Sequence, residues 1–303
     1  MPRIIILLAT ELLLINVSAA CDLDANKVSA TMGVKATTTE DGVVRVGWPR
    51  TDVKVTVDGL ALRPFAGLGS WAAFTRTEHG GMVMGDTVLF EDEVNPAIDA
   101  AFSSGLQVTG LHNHFFFDRP KVYFMHIGGD GCPHDLAMGV RAIWDAIKKV
   151  RAANPEPKAS FAGPVPTYGK LNAEEIIAAV GEKGQLQDDV FKITIGRPAE
   201  MGGMKFSGSM GLTTWAAFVG GDESAIVDGD FAMTAAEVQP VLKSLRKSGI
   251  NIVALHNHMV GEHPAYYFVH FWGKGRATDL AQGFRHALDS QRSVSVAGLE
   301  QTK

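Results

Sequence analysis

Only two of the 303 residues are cysteine, Cys21 and Cys132, which excludes a disulfide-stapled scaffold and a four-cysteine zinc site. Any metal would have to be held by histidine and carboxylate. There is no surplus of positive charge either: 28 Lys plus Arg stand against 33 Asp plus Glu, with a net charge of −5 and a pI near 6.1. The chain therefore lacks the basic footprint needed to bind a phosphate backbone, and nucleic acid is not an expected partner. Beyond Ile4 to Val17, no apolar run approaches the roughly 18 residues of a membrane span. What is present is 46% hydrophobic residues and 33 glycines in a length of roughly two domains.

Met1-Pro2-Arg3, the apolar run Ile4 to Val17 and the small residues Ser18-Ala19-Ala20 have the three parts of a signal peptide. An extracytoplasmic protein is expected, whether periplasmic, secreted or envelope-anchored. Cys21, first after the expected cut, stands where a lipoprotein carries its acylated cysteine. In an oxidising compartment it could instead pair with Cys132, and both readings stay open.

The chain repeats itself. Residues 67–145 align without a gap onto 211–289 at an offset of 144, and 30 of the 79 pairs are identical. The shared blocks include Trp71 to Phe74 with Trp215 to Phe218, Gly85-Asp86 with Gly229-Asp230, and Leu111-His112-Asn113-His114 with Leu255-His256-Asn257-His258. Upstream, Leu23 to Gly33 resembles Leu171 to Gly181, and Val53 to Val57 resembles Phe191 to Ile195. Residues 154–166 carry four prolines and read as a linker. The expected organisation is a signal peptide over 1–20, one repeat over 21–153, the linker, and a second repeat over 167–303.

Within a repeat, hydrophobic spacing predicts helices after Asn172, over 93–103 and over 135–150, with strands at 53–57, 71–75, 82–84, 106–117 and 121–127. The fold class is α+β: two tandem homologous domains, each an antiparallel sheet covered by helices on one face, related by a pseudo-two-fold.

The candidate chemistry lies in His112, His114 and His126 and in their repeats His256, His258 and His270. Alternate residues of a strand share a face, so the two histidines of each His-Asn-His project together. If the turns centre on Arg119 and His263, His126 lies across from His112, and His270 across from His256. Three imidazoles so placed can meet at one divalent metal, zinc or alternatively iron, manganese or copper. Asp118 and Glu262, four residues after each second histidine, are candidates for a fourth ligand or a general base.

Other matched residues receive structural roles. Trp71 and Trp215 are assigned to the core in preference to ligand stacking platforms, and Gly85, Gly129, Gly131 and their partners to turns. Glu93 and Glu237 open helices whose positive ends they suit, and Arg141 and Arg285 are solvated helix positions. Tyr123 and Tyr267 fall on the face opposite the histidines. His79, His134, His263 and His286 are expected at the surface.

The strings GLHNHFFFDRPKVYFMHIGGDG and ALHNHMVGEHPAYYFVHFWGKG, with WPRTDVKVTVDG and the MGDTVLFEDEV segment, resemble the LppY/LpqO-like family of exported bacterial proteins, over nearly the whole mature chain. The resemblance implies an envelope location and the tandem architecture, and no activity. A looser likeness, of ligand set alone, is to the His-x-His motif of the cupins. The expected function is an exported metal-dependent enzyme of hydrolase or lyase type acting on a small molecule. The alternative is a non-catalytic envelope protein that binds metal or a ligand.

Overall fold

The computed structural model describes residues 21–78 and 80–300, with side chains to residue 294. The expected signal peptide and His79 lie outside the described residues. The chain divides into two compact units, one running to Thr109 and over Asn113–Ala159, the other comprising Gly110–His112 and the chain from Ser160 onward.

The first repeat contains α1 (Ala25–Met32), β1 (Ala36–Thr38), β2 (Val44–Pro49), β3 (Thr56–Val57), β4 (Leu60–Ala61), β5 (Gly69–Thr77), β6 (Gly80–Phe90) and α2 (Glu91–Ser103). After these come β7 (Gln107–His112), β8 (Asp118–Arg119), β9 (Val122–Gly131) and α3 (Pro133–Ala153). The second follows the same order with α4 (Ala173–Val180), β10 (Gly184–Gln187), β11 (Val190–Gly196), β12 (Ala199–Met201), β13 (Met204–Phe206), β14 (Thr213–Gly221) and β15 (Ser224–Met233). It continues with α5 (Ala235–Lys247), β16 (Asn251–His256), β17 (Tyr267–Gly275) and α6 (Ala277–Glu300). The strand orders are β1-β2-β5-β6-β9-β7 and β10-β11-β14-β15-β17-β16, antiparallel throughout. The α+β class and the helix-covered sheet are thus as the sequence predicts.

One face of each sheet takes the helices, because alternate strand residues there are apolar. In the second unit Phe231 and Phe271 meet Phe284 of α6 with ring centroids 5.2 and 6.0 Å away. In the first, Trp48 of β2 meets Trp144 of α3 at 5.6 Å. The helices start at definite caps. Asp24 accepts from the amides of Asn26 and Lys27, while Glu93 and Glu237 reach back to the amides of Phe90 and Thr234.

The opposite face is only half covered. Short strands and loops fold over one end of it, burying Val53, Val55, Leu68, Val88, Phe90, Val122 and Phe124 in the first unit. In the second, Ala199, Leu212, Ala232, Tyr266 and Phe268 form the corresponding cluster. The rest of this face stays open, and the histidines lie at the boundary.

Several expectations are corrected here. The alternation at Val53 to Val57 suggested a full strand, but only Thr56 and Val57 are in one, and Val53 and Val55 face the loop cluster. The counterpart of β11 is β2: Gly47 pairs with Trp71 as Thr194 pairs with Trp215. Strand β7 ends at His112 rather than Phe117. Trp71 and Trp215 are not core residues; they lie half-exposed on the open face.

Gly85 and Gly229 serve no turn. They sit inside β6 and β15, where a Cβ on Gly229 would lie 2.2 Å from Cζ of Phe271 and 2.4 Å from the Trp215 carbonyl oxygen. Gly229→Ala is expected to destabilise the second unit by about 1–3 kcal/mol through overpacking, measured by urea denaturation. Gly85→Ala should cost less, since its nearest contacts are Trp71 O at 2.9 Å and Ile127 Cγ1 at 3.0 Å.

Candidate metal centre

In the second unit, β16 ends on His256, the next turn carries His258, and β17 returns with His270. One ligand atom from each imidazole can be chosen so that all three lie within 4.8 Å of one another. The ring centroids of His256 stand 5.0 Å from those of both His258 and His270. This is the spacing from which three nitrogens can converge on one ion.

The register that achieves this is not the expected one. His256 pairs with Phe268 and Ala254 with His270, across a bulge between Ile252 and Ala254. His256 and His270 are therefore diagonal neighbours. The slip is of two residues, and an even slip preserves the face, so the three rings still meet. His258, beyond the strand end, is held flat on Phe268 with centroids 3.5 Å apart and planes 8° apart. The loop cluster thus fixes the most exposed ring of the three.

A carboxylate completes the group. Asp230 of β15 lies directly across from His270, is 2% exposed, and brings Oδ2 to 3.5 Å from Nε2 of His258. Its Oδ1 is buried with no hydrogen-bond partner among the described residues. Burial pushes the Asp230 carboxyl up to about 7, partly offset by His256. Burial, reinforced by His256 and His270, pushes His258 down to about 4. On the same face, burial also raises Asp228. The site thus disfavours added positive charge on His258 and negative charge on Asp230, unless a cation arrives.

The donor set suits a divalent ion. Three imidazoles and an adjacent carboxylate lacking a partner on one oxygen are ligands for zinc or for a harder transition metal. Nδ1 of His256 lies 3.2 Å from the Asn257 carbonyl, which in the tautomer donating there leaves Nε2 as the free lone pair.

The first unit places the corresponding residues on matching elements. His126 is directly across from Asp86, as His270 is from Asp230. His114 stacks on Phe124 with centroids 3.3 Å apart, and His112 closes β7. Asp118 and Glu262 are turned to the backbone: buried, they accept from the amides of Val122 at 2.6 Å and Tyr266 at 2.8 Å. They clamp the turns between the histidine strands.

Asp86 and Asp230 are the group that sequence reasoning passed over. Their signal was present in the shared Gly-Asp pair, but their neighbours in space are histidines 40 residues further along the chain. Tyr123 and Tyr267 do lie on the opposite face, paired with Leu89 and Met233, and His134, His263 and His286 are exposed. Arg141 and Arg285 pair with Asp145 and Asp289 and donate to the last turns of α1 and α4 through Thr31 O and Val180 O.

No curated protein matches the chain. Among solved structures, the trimeric bacterial microcompartment shell protein PduB matches with 12% identity over 88% of this chain and 92% of its own, at a TM-score of 0.22. EtuB from Clostridium kluyveri gives 11%, 86%, 91% and 0.22. The double-ringed trimeric shell protein MSM0271 of the RMM microcompartment gives 10%, 82%, 94% and 0.20. A family match covers residues 26–146 and again 174–290, so the chain belongs, as two tandem copies, to the DUF1529 family, described as Domain of Unknown Function (DUF1259).

Proposed function

We propose that His256, His258 and His270 hold one divalent metal ion, with Asp230 beside it, and that the protein is an exported metal-dependent enzyme of hydrolase or lyase type. The observation that carries this reading is the convergence of three imidazole ligand atoms within 4.8 Å beside a buried carboxylate. The matched residues His112, His114 and His126, with Asp86, are proposed as the first repeat's own site. Export rests on the N-terminal sequence and on its resemblance to the LppY/LpqO-like proteins.

The chain's groups divide the work. Phe268 and Phe124 fix the angles of His258 and His114. A bound divalent metal supplies Lewis acidity and a lowered pKa for water. Asp230, buried across from His270 with one unpartnered oxygen, is placed to accept a proton and return it to a leaving group. Glu262 and Asp118 hold the turns. A closed storage site would bury all three rings, whereas the His258 side chain is 35% exposed, which favours access by a small substrate.

Elemental analysis of the protein purified without an affinity tag tests the reading. Metal near one equivalent per intact site is expected, with the second unit's equivalent lost in His258→Ala and the first's in His114→Ala. Unchanged metal content in both variants, or none in the parent after reconstitution, would overturn it.

A further inference from the structure

The open face of the second unit's sheet carries more than the histidines. In strict register, Thr194 of β11 lies across from Trp215 of β14, Trp215 across from Asp230 of β15, and Asp230 across from His270 of β17. Three strand spacings separate the ends of this row, roughly 14 Å. At the far end is a cavity of about 340 Å³ lined by Lys183, Gly184, Gln185, Lys192 and Thr194. Gln185 and Lys192 are themselves register partners. Neither Lys183 nor Lys192 has a carboxylate within ion-pair distance among the described residues. The Lys192 ammonium instead rests over the Trp215 ring, 4.0 Å from its centroid.

This arrangement is kept in the duplicate. Arg45 lies over Trp71 at 4.7 Å, and Arg45 pairs with Ala73 as Lys192 pairs with Ala217. Trp71 pairs with Asp86, and Asp86 with His126. The cation has changed from lysine to arginine while its place over the same tryptophan has not. A half-exposed tryptophan needed only for packing would be expected on the helix side. One held in both copies on the open face, between a cation and the histidines, is placed as a platform for a ligand ring.

We propose that the row from Lys183 and Lys192 through Trp215 to His258 and His270 is a binding track for an anionic sugar. Its carboxylate or phosphate would draw the Lys192 ammonium off Trp215 and lie at the two lysines, its first ring would take that face of Trp215, and the bond to be processed, one sugar further along the roughly 14 Å row, would lie at the histidines. Asp228, on the same face across from Ala217, accepts ring hydroxyls. The four parts of the track ask for different things of one molecule: negative charge, a flat apolar ring face, hydroxyl donors and a metal-binding oxygen. This assignment names the substrate class of the proposed metal centre and rests on that reading for its reactive end alone.

The test is calorimetric titration of the full chain with glucose 6-phosphate and glucuronate, using glucose and inorganic phosphate as controls, alongside elemental analysis of each variant. Binding of at least one anionic sugar, weakened tenfold or more in both Lys192→Met and Trp215→Leu with metal content unchanged, is the expected result. Glucose 6-phosphate as the better ligand would assign the anion as phosphate, and glucuronate as carboxylate. Equal binding by the parent and both variants, or binding of phosphate alone without dependence on Trp215, would overturn the track. No binding of either anionic sugar would overturn it too. A parent that takes up no metal on reconstitution and still binds the sugar through Lys192 and Trp215 would sink the metal reading and leave the track standing.

Discussion

Glu93→Ala should lower the unfolding free energy by about 3–5 kcal/mol, a large fraction of what a domain of this size possesses. Arg50 is 1% exposed and donates from Nη1 and Nη2 to Glu93 at 2.8 and 2.9 Å and from Nε and Nη2 to Asp52 at 2.9 Å. Glu93 also accepts the Phe90 amide at 2.9 Å and pairs with Arg151 at 2.7 Å. Removing it leaves the buried Arg50 guanidinium with Asp52 as its one carboxylate and Arg151 with Asp92, and uncaps α2. Burial raises the Glu93 carboxyl and the Arg50 guanidinium opposes that rise, so the charge is tolerated only through its partners. The second unit has a weaker copy: Arg197 reaches Glu237 at 3.0 and 3.1 Å but its side chain is 18% exposed, and Gln291 takes a place beside Glu237 that carries no charge. Glu237→Ala should therefore cost less than Glu93→Ala. Urea denaturation of the two variants orders them, and equal costs would show that burial of the cation is not what sets the penalty.

How much of this could be read from the chain depends on distance along it. The duplication and the helices α2, α3 and α4 were legible because their signals are local: a shared block, a capping residue with acidic residues behind it, an apolar spacing of three and four. The common face of the histidines was legible because parity survives a slip of two residues. The slip itself was not, since the bulge between Ile252 and Ala254 leaves no pattern in composition. Asp230 was invisible as a partner because strand order, β14-β15-β17, decides that it lies beside His270, and strand order is a tertiary fact. The tryptophans misled for a related reason. A large apolar residue in a strand has two faces to choose from, and only the placement of the helices says which one is the core. Asp118 and Glu262 had the right chemistry and spacing for a ligand, yet the turn they lie in needed an acceptor for the Val122 and Tyr266 amides.

The two site groups should leave the metal-free protein only a shallow net fall of stability between pH 4 and 6.5, and single variants at the site should uncover two opposite slopes. Asp230 is raised from 3.8 to about 7, so the folded chain holds a proton that the unfolded chain releases. That contribution is fully present below pH 3.8 and is lost as pH rises through about 7. His258 is lowered from 6.5 to about 4, so here the unfolded chain binds the extra proton. Its contribution is present above pH 6.5 and is lost as pH falls through about 4. Over the shared window the two slopes oppose, each limited to roughly 1.4 kcal/mol per pH unit. The histidine slope is the smaller, because its 35% exposed side chain is screened by water. Asp230→Asn should leave only the histidine, giving a melting temperature that climbs from pH 4 to 6.5. His258→Gln should leave only the carboxyl, giving one that falls from pH 4 to 7. The expected spans are several degrees in a domain of this size. Saturating zinc should raise the parent's curve most at the alkaline end, where the carboxyl is ionised and the imidazoles are neutral. If Asp230→Asn instead traced the parent's curve, the carboxyl would be ionised in the folded chain throughout, and Asp230 could not be the group that accepts and returns the proton.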